Sequence, residues 1–179
     1  MALHAVRLEP APTPVPAEPA RLPATIEFRR FAGSFPTGVA VATTRDRSGQ
    51  VFGTTMNALT SLSLDPPTYL MCFGTQSNTL AALHETGLFC LNFLTVKQEH
   101  LAKLFASKNP EKSFGVAFSS GANGMPVIEG VLAHSEGHVV ALHAGGDHTI
   151  VVGQIDKVHV GEGEPLVFYR GEYRRLNVA

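Results

Sequence analysis

Two long runs of β-forming residues joined by a glycine turn constrain the fold of this chain more than any other feature. The runs are VIEGVLAHSEGHVVALHA and HTIVVGQIDKVHV, and Gly145, Gly146 and Asp147 stand between them. So short a turn returns the second run antiparallel to the first, because parallel strands need a crossover of a dozen or more residues. Strand, polar turn and strand also follow one another at RDRSGQ and around Gly171. The sequence therefore predicts sequential hairpins.

The remaining segments add a few helices to this β-rich pattern. One carries an apolar helical face, one begins at a Ser77 or Asn78 cap, and one begins with a capping box of Thr95 and Gln98. No GxGxxG motif follows the first strand, which disfavours a Rossmann sheet. Six to eight strands with two or three helices predict a mainly β fold, an antiparallel barrel with peripheral helices. The three helical segments are TIEFRRFAGSF, SNTLAALHE and TVKQEHLAKLF.

Composition divides the 179 residues into a tail and one domain. Residues 1–24 are rich in Pro and Ala and predict a flexible or extended N-terminal arm, or one that packs across a neighbouring subunit. Residues 25–179 form the predicted domain. The net charge of −1 gives no basic field for nucleic acid. No apolar run is long enough to span a bilayer and no signal peptide is evident, so we expect a cytoplasmic protein.

Signals for metal, redox and nucleophilic chemistry are weak in this sequence. Cys72 and Cys90 lie in apolar runs without CxxC spacing, which is typical of inert core thiols. His134 and His138 share a predicted strand face but lie roughly 13 Å apart by strand rise, too far for one ion. No GxSxG, HExxH or P-loop motif occurs. We therefore expect no metal site.

The segment from Val51 to Leu64 contains many hydroxyl and amide side chains but no charged residue, and Asp65-Pro66-Pro67 ends it. We interpret it as one strand, with Thr55, Asn57, Leu59, Ser61 and Ser63 on the same face. Small neutral donors and acceptors suit a flat heteroaromatic ligand. The alternative is a solvent-facing strand surface, although such surfaces usually carry some charge.

Two further segments are candidates for ligand contacts. Ser77, Asn78 and Thr79 open a helix, whose N-terminus either forms an anion site or is simply capped. Asp147 and His148 follow the glycine turn, where the carboxylate can orient the imidazole toward a ligand. The alternative for the second pair is a surface hairpin with incidental polar residues.

Taken together, these segments resemble the short-chain flavin reductase family. The resemblance implies an antiparallel split β-barrel of the FMN-binding type, and several members of the family supply reduced flavin to a partner monooxygenase. Two departures from the family pattern stand out: Asn57-Ala58-Leu59 replaces a frequent Asn-Ser-Phe, and Gly137 replaces a frequent Cys. The matching segments are FPTGVAVATT, GTTMNALTSLSLDPP, SNTLAAL, GLFCLNFL, LAKLFAS, GMPVIEGVLAH, GGDHTIVVGQI and PLVFYRGEYRRL.

The resemblance also implies a function and a set of site residues. The expected activity is hydride transfer from NADH or NADPH to FMN or FAD, in a homodimer with flavin at its interface. The alternatives are a non-catalytic flavin- or haem-binding barrel, or a reductase acting on a metal complex such as ferric iron or a corrinoid. The implied flavin-binding residues are Thr54, Thr55, Asn57, Ala58, Ser61, Ser77, Asn78, Thr79, Phe105, Ala106 and Lys112. The implied nicotinamide-binding residues are Pro36, Thr37, Gly38, Asp147, His148 and Tyr173, with His148 as the catalytic candidate.

Overall fold

A computed structural model describes residues 23–176 of the chain. Nearly all of the predicted N-terminal arm, residues 1–22, lies outside these residues, so its flexibility stays a prediction. The described part contains three α-helices, a short 3₁₀-helix and twelve strands, more strands than the six to eight predicted from the sequence. The helices are α1 (Thr25–Ala32), α2 (Asn78–Thr86) and α3 (Glu99–Ala106), and the 3₁₀-helix is Val96–Gln98. The strands are β1 (Thr37–Gly38), β2 (Ala40–Arg45), β3 (Val51–Met56), β4 (Leu59–Leu64), β5 (Pro67–Gly74), β6 (Leu88–Phe93), β7 (Phe118–Ser120), β8 (Pro126–Ile128), β9 (Ala133–Gly145), β10 (His148–Val160), β11 (Leu166–Tyr169) and β12 (Glu172–Arg175).

Seven strands form the main sheet, in the order β3-β2-β6-β9-β10-β5-β4, and every pair in it is antiparallel. The predicted β9–β10 hairpin is confirmed, with Gly145 paired to His148. One buried cluster gathers side chains from strands across this sheet together with Leu80 and Leu83 of α2. The sheet therefore curls around a common core, as an antiparallel barrel requires.

The polar segment that we interpreted as a single strand is divided in two. β3 ends at Met56, and β4 begins at Leu59 on the opposite edge of the same sheet. Asn57 and Ala58 form the corner between them, and the Ala58 carbonyl accepts a hydrogen bond from Cys72 N at 2.9 Å. The predicted common face is therefore wrong, because the backbone leaves one edge of the barrel and crosses to the other at the corner.

A buried phenylalanine explains why glycine stands at two positions in the barrel wall. A Cβ at Gly137 would lie 2.8 Å from Phe89 Cζ and 2.2 Å from the Gln154 carbonyl oxygen. A Cβ at Gly153 would lie 2.4 Å from Phe89 Cζ. Phe89 is only 1% exposed. The two glycines therefore leave the space that the aromatic ring occupies, so Gly137 is required by packing in this chain.

The second core cluster lies between the barrel and α3. It joins Val39, Val41 and Phe105 to Leu166 of the three-stranded sheet, whose order is β1-β11-β12. The Gln98 side chain accepts a hydrogen bond from Thr95 N at 3.1 Å, which confirms the predicted cap before α3. α3 is thereby fixed against β2 and β3, where it borders a groove.

Helix α1 forms as predicted, but its apolar side chains do not pack into the described part of the chain. Ile26 and Phe31 are 69% and 77% exposed, and Phe35, beyond the helix end, is 76% exposed. Within residues 23–176, no helix is long and apolar enough to cross a membrane.

Candidate functional site

The groove that α3 borders has a volume of about 810 Å³ and follows the free edge of β3. β3 pairs only with β2 among the described strands. Every residue from Gln50 to Ala58 lines the groove. An edge strand presents unpaired backbone N–H and C=O groups along its length. The groove floor is therefore a row of backbone donors and acceptors with small side chains.

Two helices flank the groove on the two faces of β3. On one face, Leu80 of α2 packs with Met56, while Thr86 at the other end of α2 lies 3.4 Å from Thr44, the partner of Phe52. On the other face, Thr55 Oγ1 donates a hydrogen bond to the Ala102 carbonyl of α3 at 2.7 Å. Both helices therefore run along β3 from its Met56 end toward its Phe52 end.

This arrangement gives the groove two distinct ends. The inner end contains the corner residues Asn57 and Ala58, the end of β5 and His148. The outer end contains Gln50–Phe52 and the segment Ser107–Pro110, which follows α3. Asn57 and Gln50 are roughly 23 Å apart along the chain at about 3.3 Å per residue.

The N-terminus of α2 opens into the groove beside its inner end. Ser77 caps the helix by accepting a hydrogen bond from Leu80 N at 3.4 Å, which confirms the predicted cap. Asn78 is exposed, whereas Thr79 is 3% exposed, and both line the groove. Helix N-termini carry partial positive charge and free N–H groups, so this end of the groove favours an anion.

The charged groups that line the groove are all basic. Lys108 and Lys112 lie along it, and its lining contains no Asp or Glu. Lys112 Nζ donates to the Phe105 carbonyl at 2.9 Å and to the Ser107 carbonyl at 3.3 Å, at the C-terminus of α3. Burial lowers the pKa of Lys112 from its usual value. The groove is thus suited to a long, neutral-to-anionic ligand with many polar atoms.

The predicted Asp147–His148 pair lies at the inner end of the groove. Asp147 Oδ1 is 2.7 Å from His148 Nδ1, and the hydrogen bond and charge of His148 lower the pKa of Asp147. The His148 side chain is 47% exposed and lines the groove, whereas Asp147 does not line it. The carboxylate therefore holds one ring nitrogen and leaves the other available.

A second, mostly apolar cavity of about 230 Å³ lies on the other side of the corner and shares Asn57 with the groove. Thr37, Gly38, Leu59 and Phe93 are among its lining residues. Thr37 Oγ1 is buried and has no hydrogen-bond partner among the described residues. A buried hydroxyl of this kind costs about 1–3 kcal/mol if it stays unsatisfied.

Ten of the eleven flavin-binding candidates line the groove together. They are Thr54, Thr55, Asn57, Ala58, Ser77, Asn78, Thr79, Phe105, Ala106 and Lys112.

Ser61 is the exception, because it lies on β4 and is exposed. Of the nicotinamide-binding candidates, His148 lines the groove, Thr37 and Gly38 line the second cavity, and Pro36 and Asp147 are exposed and line neither. Tyr173 packs against Phe168 with ring centroids 5.4 Å apart. A single described chain therefore does not assemble these candidates at one place.

Sequence reasoning missed the outer end of the groove and the contribution of β5. Gln50, Val51 and Phe52 extend the floor, and Lys108 and Asn109 add polar groups from the loop after α3. No motif marks these residues, because they meet only when α3 packs across β3. These residues can be recognised as part of a site only when the order of strands in the sheet shows that β3 lies at its edge. Among residues 23–176, no group of three or more His, Cys, Asp or Glu side chains is arranged to hold a metal ion.

Many known proteins are similar to this chain in sequence and in structure. The family model described as "Flavin reductase like domain" matches residues 32–177. The chain is 36% identical over 147 residues to the "Flavin-dependent monooxygenase, reductase subunit HsaB" of Rhodococcus jostii, covering 82% of this chain and 75% of that protein. It is 37% identical over 155 residues to an "NADH-dependent flavin reductase" of a Rhodococcus species, covering 86% and 87% of the two chains. The solved NADH:FAD oxidoreductase SgcE6 of Streptomyces globisporus superposes with a TM-score of 0.82 at 33% identity, covering 92% of this chain and 100% of that one.

Proposed function

We propose that this chain, which belongs to the flavin reductase-like family, is an NAD(P)H-dependent flavin reductase whose flavin binds in the groove along β3. FMN or FAD would accept a hydride from the nicotinamide; that chemistry belongs to the two cofactors, while the protein supplies binding and orientation. The observation that carries the proposal is the convergence of the free β3 edge, the α2 N-terminus and Lys112 on one groove.

The residues that line the groove match the chemistry of a flavin. The ring system presents imide and carbonyl groups at its edge, and the backbone groups of β3 and the small side chains Thr54 and Thr55 offer complementary donors and acceptors. The small side chain of Ala58, at the exposed corner, leaves space for a planar ring. Backbone N–H groups in this position would stabilise negative charge on the ring.

The phosphate end of the flavin has its own partners. The N-terminus of α2, with Ser77, Asn78 and Thr79, supplies N–H groups and hydroxyls for an anion. Lys112 lies on the α3 side of the same groove and adds a positive charge, with no carboxylate in the lining to compete with it. The same groups would bind either FMN or FAD at this phosphate.

We propose that His148, which lines the inner end of the groove, contacts the nicotinamide and that Asp147 orients its ring. The second cavity adjoins this end of the groove, because Asn57 lines both. We therefore expect His148→Ala to raise the KM for NADH and leave flavin affinity unchanged. His100→Ala, at an exposed position outside both cavities, is the matched control. An unchanged KM and kcat for NADH in His148→Ala would remove this role.

We further propose that the chain forms a homodimer with the flavin at the interface. Phe31, Phe35 and Leu64 are 77%, 76% and 89% exposed, and Val160 on β10 is 77% exposed. Large apolar side chains this exposed are candidates for burial in an interaction site. Burial of these side chains against a second copy would explain why α1 carries an apolar face that the described chain leaves uncovered.

Light scattering during gel filtration tests the dimer directly. The native protein is expected to elute with twice the mass of one chain, and Leu64→Glu is expected to shift it toward a single chain. Lys97→Glu places the same carboxylate at an exposed position that already carries a charged side chain and is expected to keep the dimer. A native protein with the mass of one chain would contradict the proposal.

A flavin-dependent monooxygenase is the proposed recipient of the reduced flavin. Relatives named as reductase subunits of such enzymes support this role. Gln50, Lys108 and Asn109 at the outer end of the groove are exposed, which suits release of the reduced product. We place the reaction in the cytoplasm, where NADH is available and the two free thiols, Cys72 and Cys90, remain reduced.

The decisive experiment measures NADH and NADPH oxidation under air with purified protein, with and without added FMN or FAD. Flavin-dependent oxidation at micromolar flavin supports the reductase. Flavin binding without nicotinamide oxidation would instead identify a non-catalytic flavin-binding barrel. Oxidation that needs ferric iron or a corrinoid in place of free flavin would identify a metal-complex reductase.

A further inference from the structure

We infer that Thr55 is a positioning residue of the proposed flavin site, because its hydroxyl holds α3 against β3 and so sets one wall of the groove. This inference rests on the proposed function. It differs from the expectation drawn from the sequence, in which the Thr55 side chain binds the flavin itself.

Thr55 lies on the face of β3 that packs under α3. It is paired with Val41 of β2, and Val41 belongs to the same buried cluster as Phe105 of α3. Residues paired across two strands share one face of the sheet. Thr54 is paired instead with Ala42, which belongs to the other buried cluster, together with residues of α2. The two threonines therefore lie on opposite faces of β3, and only Thr55 faces α3.

The Thr55 hydroxyl donates its one hydrogen to α3. Its Oγ1 donates to the Ala102 carbonyl at 2.7 Å, and Ala102 is fully buried. A carbonyl oxygen has two lone pairs, so the Ala102 carbonyl can accept this bond within a helix. While the bond is made, the Thr55 hydroxyl has no hydrogen left for a ligand and can only accept.

The position of α3 affects the groove because the end of this helix forms one of its walls. Phe105 and Ala106 line the groove, and the segment Ser107–Pro110 continues along it. Lys112 Nζ donates to the carbonyls of Phe105 and Ser107, so this positive charge is held at the same helix end. Ala102 lies less than one helical turn before Phe105. A shift of α3 at Ala102 would therefore move the wall and the lysine together.

Thr55→Val tests this inference, because valine lacks the hydroxyl but keeps a β-branched side chain of nearly the same shape. The affinity for FMN, measured by quenching of flavin fluorescence, is expected to fall about threefold to tenfold, as loss of one ordinary hydrogen bond would give. Hydrogen exchange, followed by mass spectrometry in protein without flavin, is expected to speed up by a similar factor in peptides from α3. Peptides from β9 are expected to keep the native exchange rate.

Two further variants control for the substitution. Thr55→Ser keeps a hydroxyl at this position and is expected to hold both the FMN affinity and the exchange of α3 within twofold of the native values. Thr60→Val makes the same replacement on β4, at an exposed position that lines neither cavity, and is expected to change neither measurement.

The two measurements together separate this role from its alternatives. Weaker FMN binding with native exchange in α3 would mean that Thr55 acts by contact with the flavin, which would overturn the inference. Faster exchange in α3 with native FMN affinity, or no change in either, would overturn it as well, because the hydrogen bond would then not shape the site. Absence of flavin binding by the native protein would overturn the proposed function and this inference together.

Discussion

Replacing Gly53 by Ala tests the geometry of the groove most directly. Gly53 lies in β3 at the middle of the groove, and an added Cβ would lie 2.8 Å from Phe105 Cε1 and 2.9 Å from Phe105 Cδ1. Phe105 is fully buried, and its ring contacts Phe118 edge-on with centroids 6.4 Å apart. Because the ring is buried against Phe118, the new methyl group must displace it or the strand.

The expected cost follows from overpacking. Extra methyl groups in a well-packed core cost about 1–3 kcal/mol, and Gly→Ala returns about 0.4–1 kcal/mol by restricting the unfolded chain. A net loss of about 1–2 kcal/mol would lower the Tm by about 2–8 °C in a chain of this size. Displacement of Phe105 would also move the groove wall, so flavin affinity is expected to fall.

Gly74→Ala is the matched control. Gly74 also lies in a strand and lines the same groove, but an added Cβ there has no neighbour within 4 Å. Its Tm is expected to stay the same or rise slightly. Differential scanning calorimetry of the two variants provides the comparison.

A double variant identifies the cause of the loss. Phe105→Leu removes the ring edge that the Gly53→Ala methyl group meets, so the two changes together are expected to cost less than the sum of the single changes. Equal Tm values for Gly53→Ala and Gly74→Ala, or strict additivity in the double variant, would show that Phe105 does not pack against β3 as described.

Three further predictions concern the barrel and its buried groups. Gly137→Ala places a Cβ 2.2 Å from the Gln154 backbone carbonyl, and we expect it to cost about 3 kcal/mol or more in urea unfolding; native-like stability would contradict the described β9–β10 packing. Burial, and then the charge of His159, lower the pKa of His134 in the folded protein, so the unfolded chain binds more protons. The free energy of unfolding is therefore expected to fall as the pH drops below about 6.5. His134→Gln is expected to flatten this dependence of the free energy of unfolding on pH. Burial, and then Glu136, raise the pKa of Cys90 to about 12, so iodoacetamide at pH 8 is expected to label Cys72 slowly and Cys90 only after denaturation; labelling of native Cys90, detected by mass spectrometry, would refute its burial.

Most secondary structure was predictable because its signals are local. The glycine turn before Asp147 specified the β9–β10 hairpin, Ser77 specified the start of α2, and the Thr95–Gln98 pair specified the cap before α3. Each of these signals depends on residues within four positions of one another. Residues along β3 and at the start of α2 were predicted to bind one ligand, and they line one groove.

The corner at Asn57–Ala58 was not predictable from alternation alone. Val51–Leu64 has an unbroken strand-like composition, yet β3 and β4 lie on opposite edges of the sheet. The division comes from closure of the barrel, because a single straight strand would leave its second half without the pairing to β5 that β4 makes. A shift of one residue along a strand turns each side chain to the opposite face of the sheet. The corner interrupts the alternation, so the prediction that Ser61 and Ser63 share a face with the first half of the segment is wrong.

The sequence by itself determined that this chain forms antiparallel hairpins with a neutral polar segment, because turn chemistry and residue alternation act between near neighbours. Only the tertiary structure decided that β3 is an edge strand, that α2 and α3 flank it, and that Phe52, Lys108 and Lys112 line one groove. These features depend on contacts between residues about 50 positions apart, such as Thr55 with Ala102, and such contacts form only when the whole barrel packs.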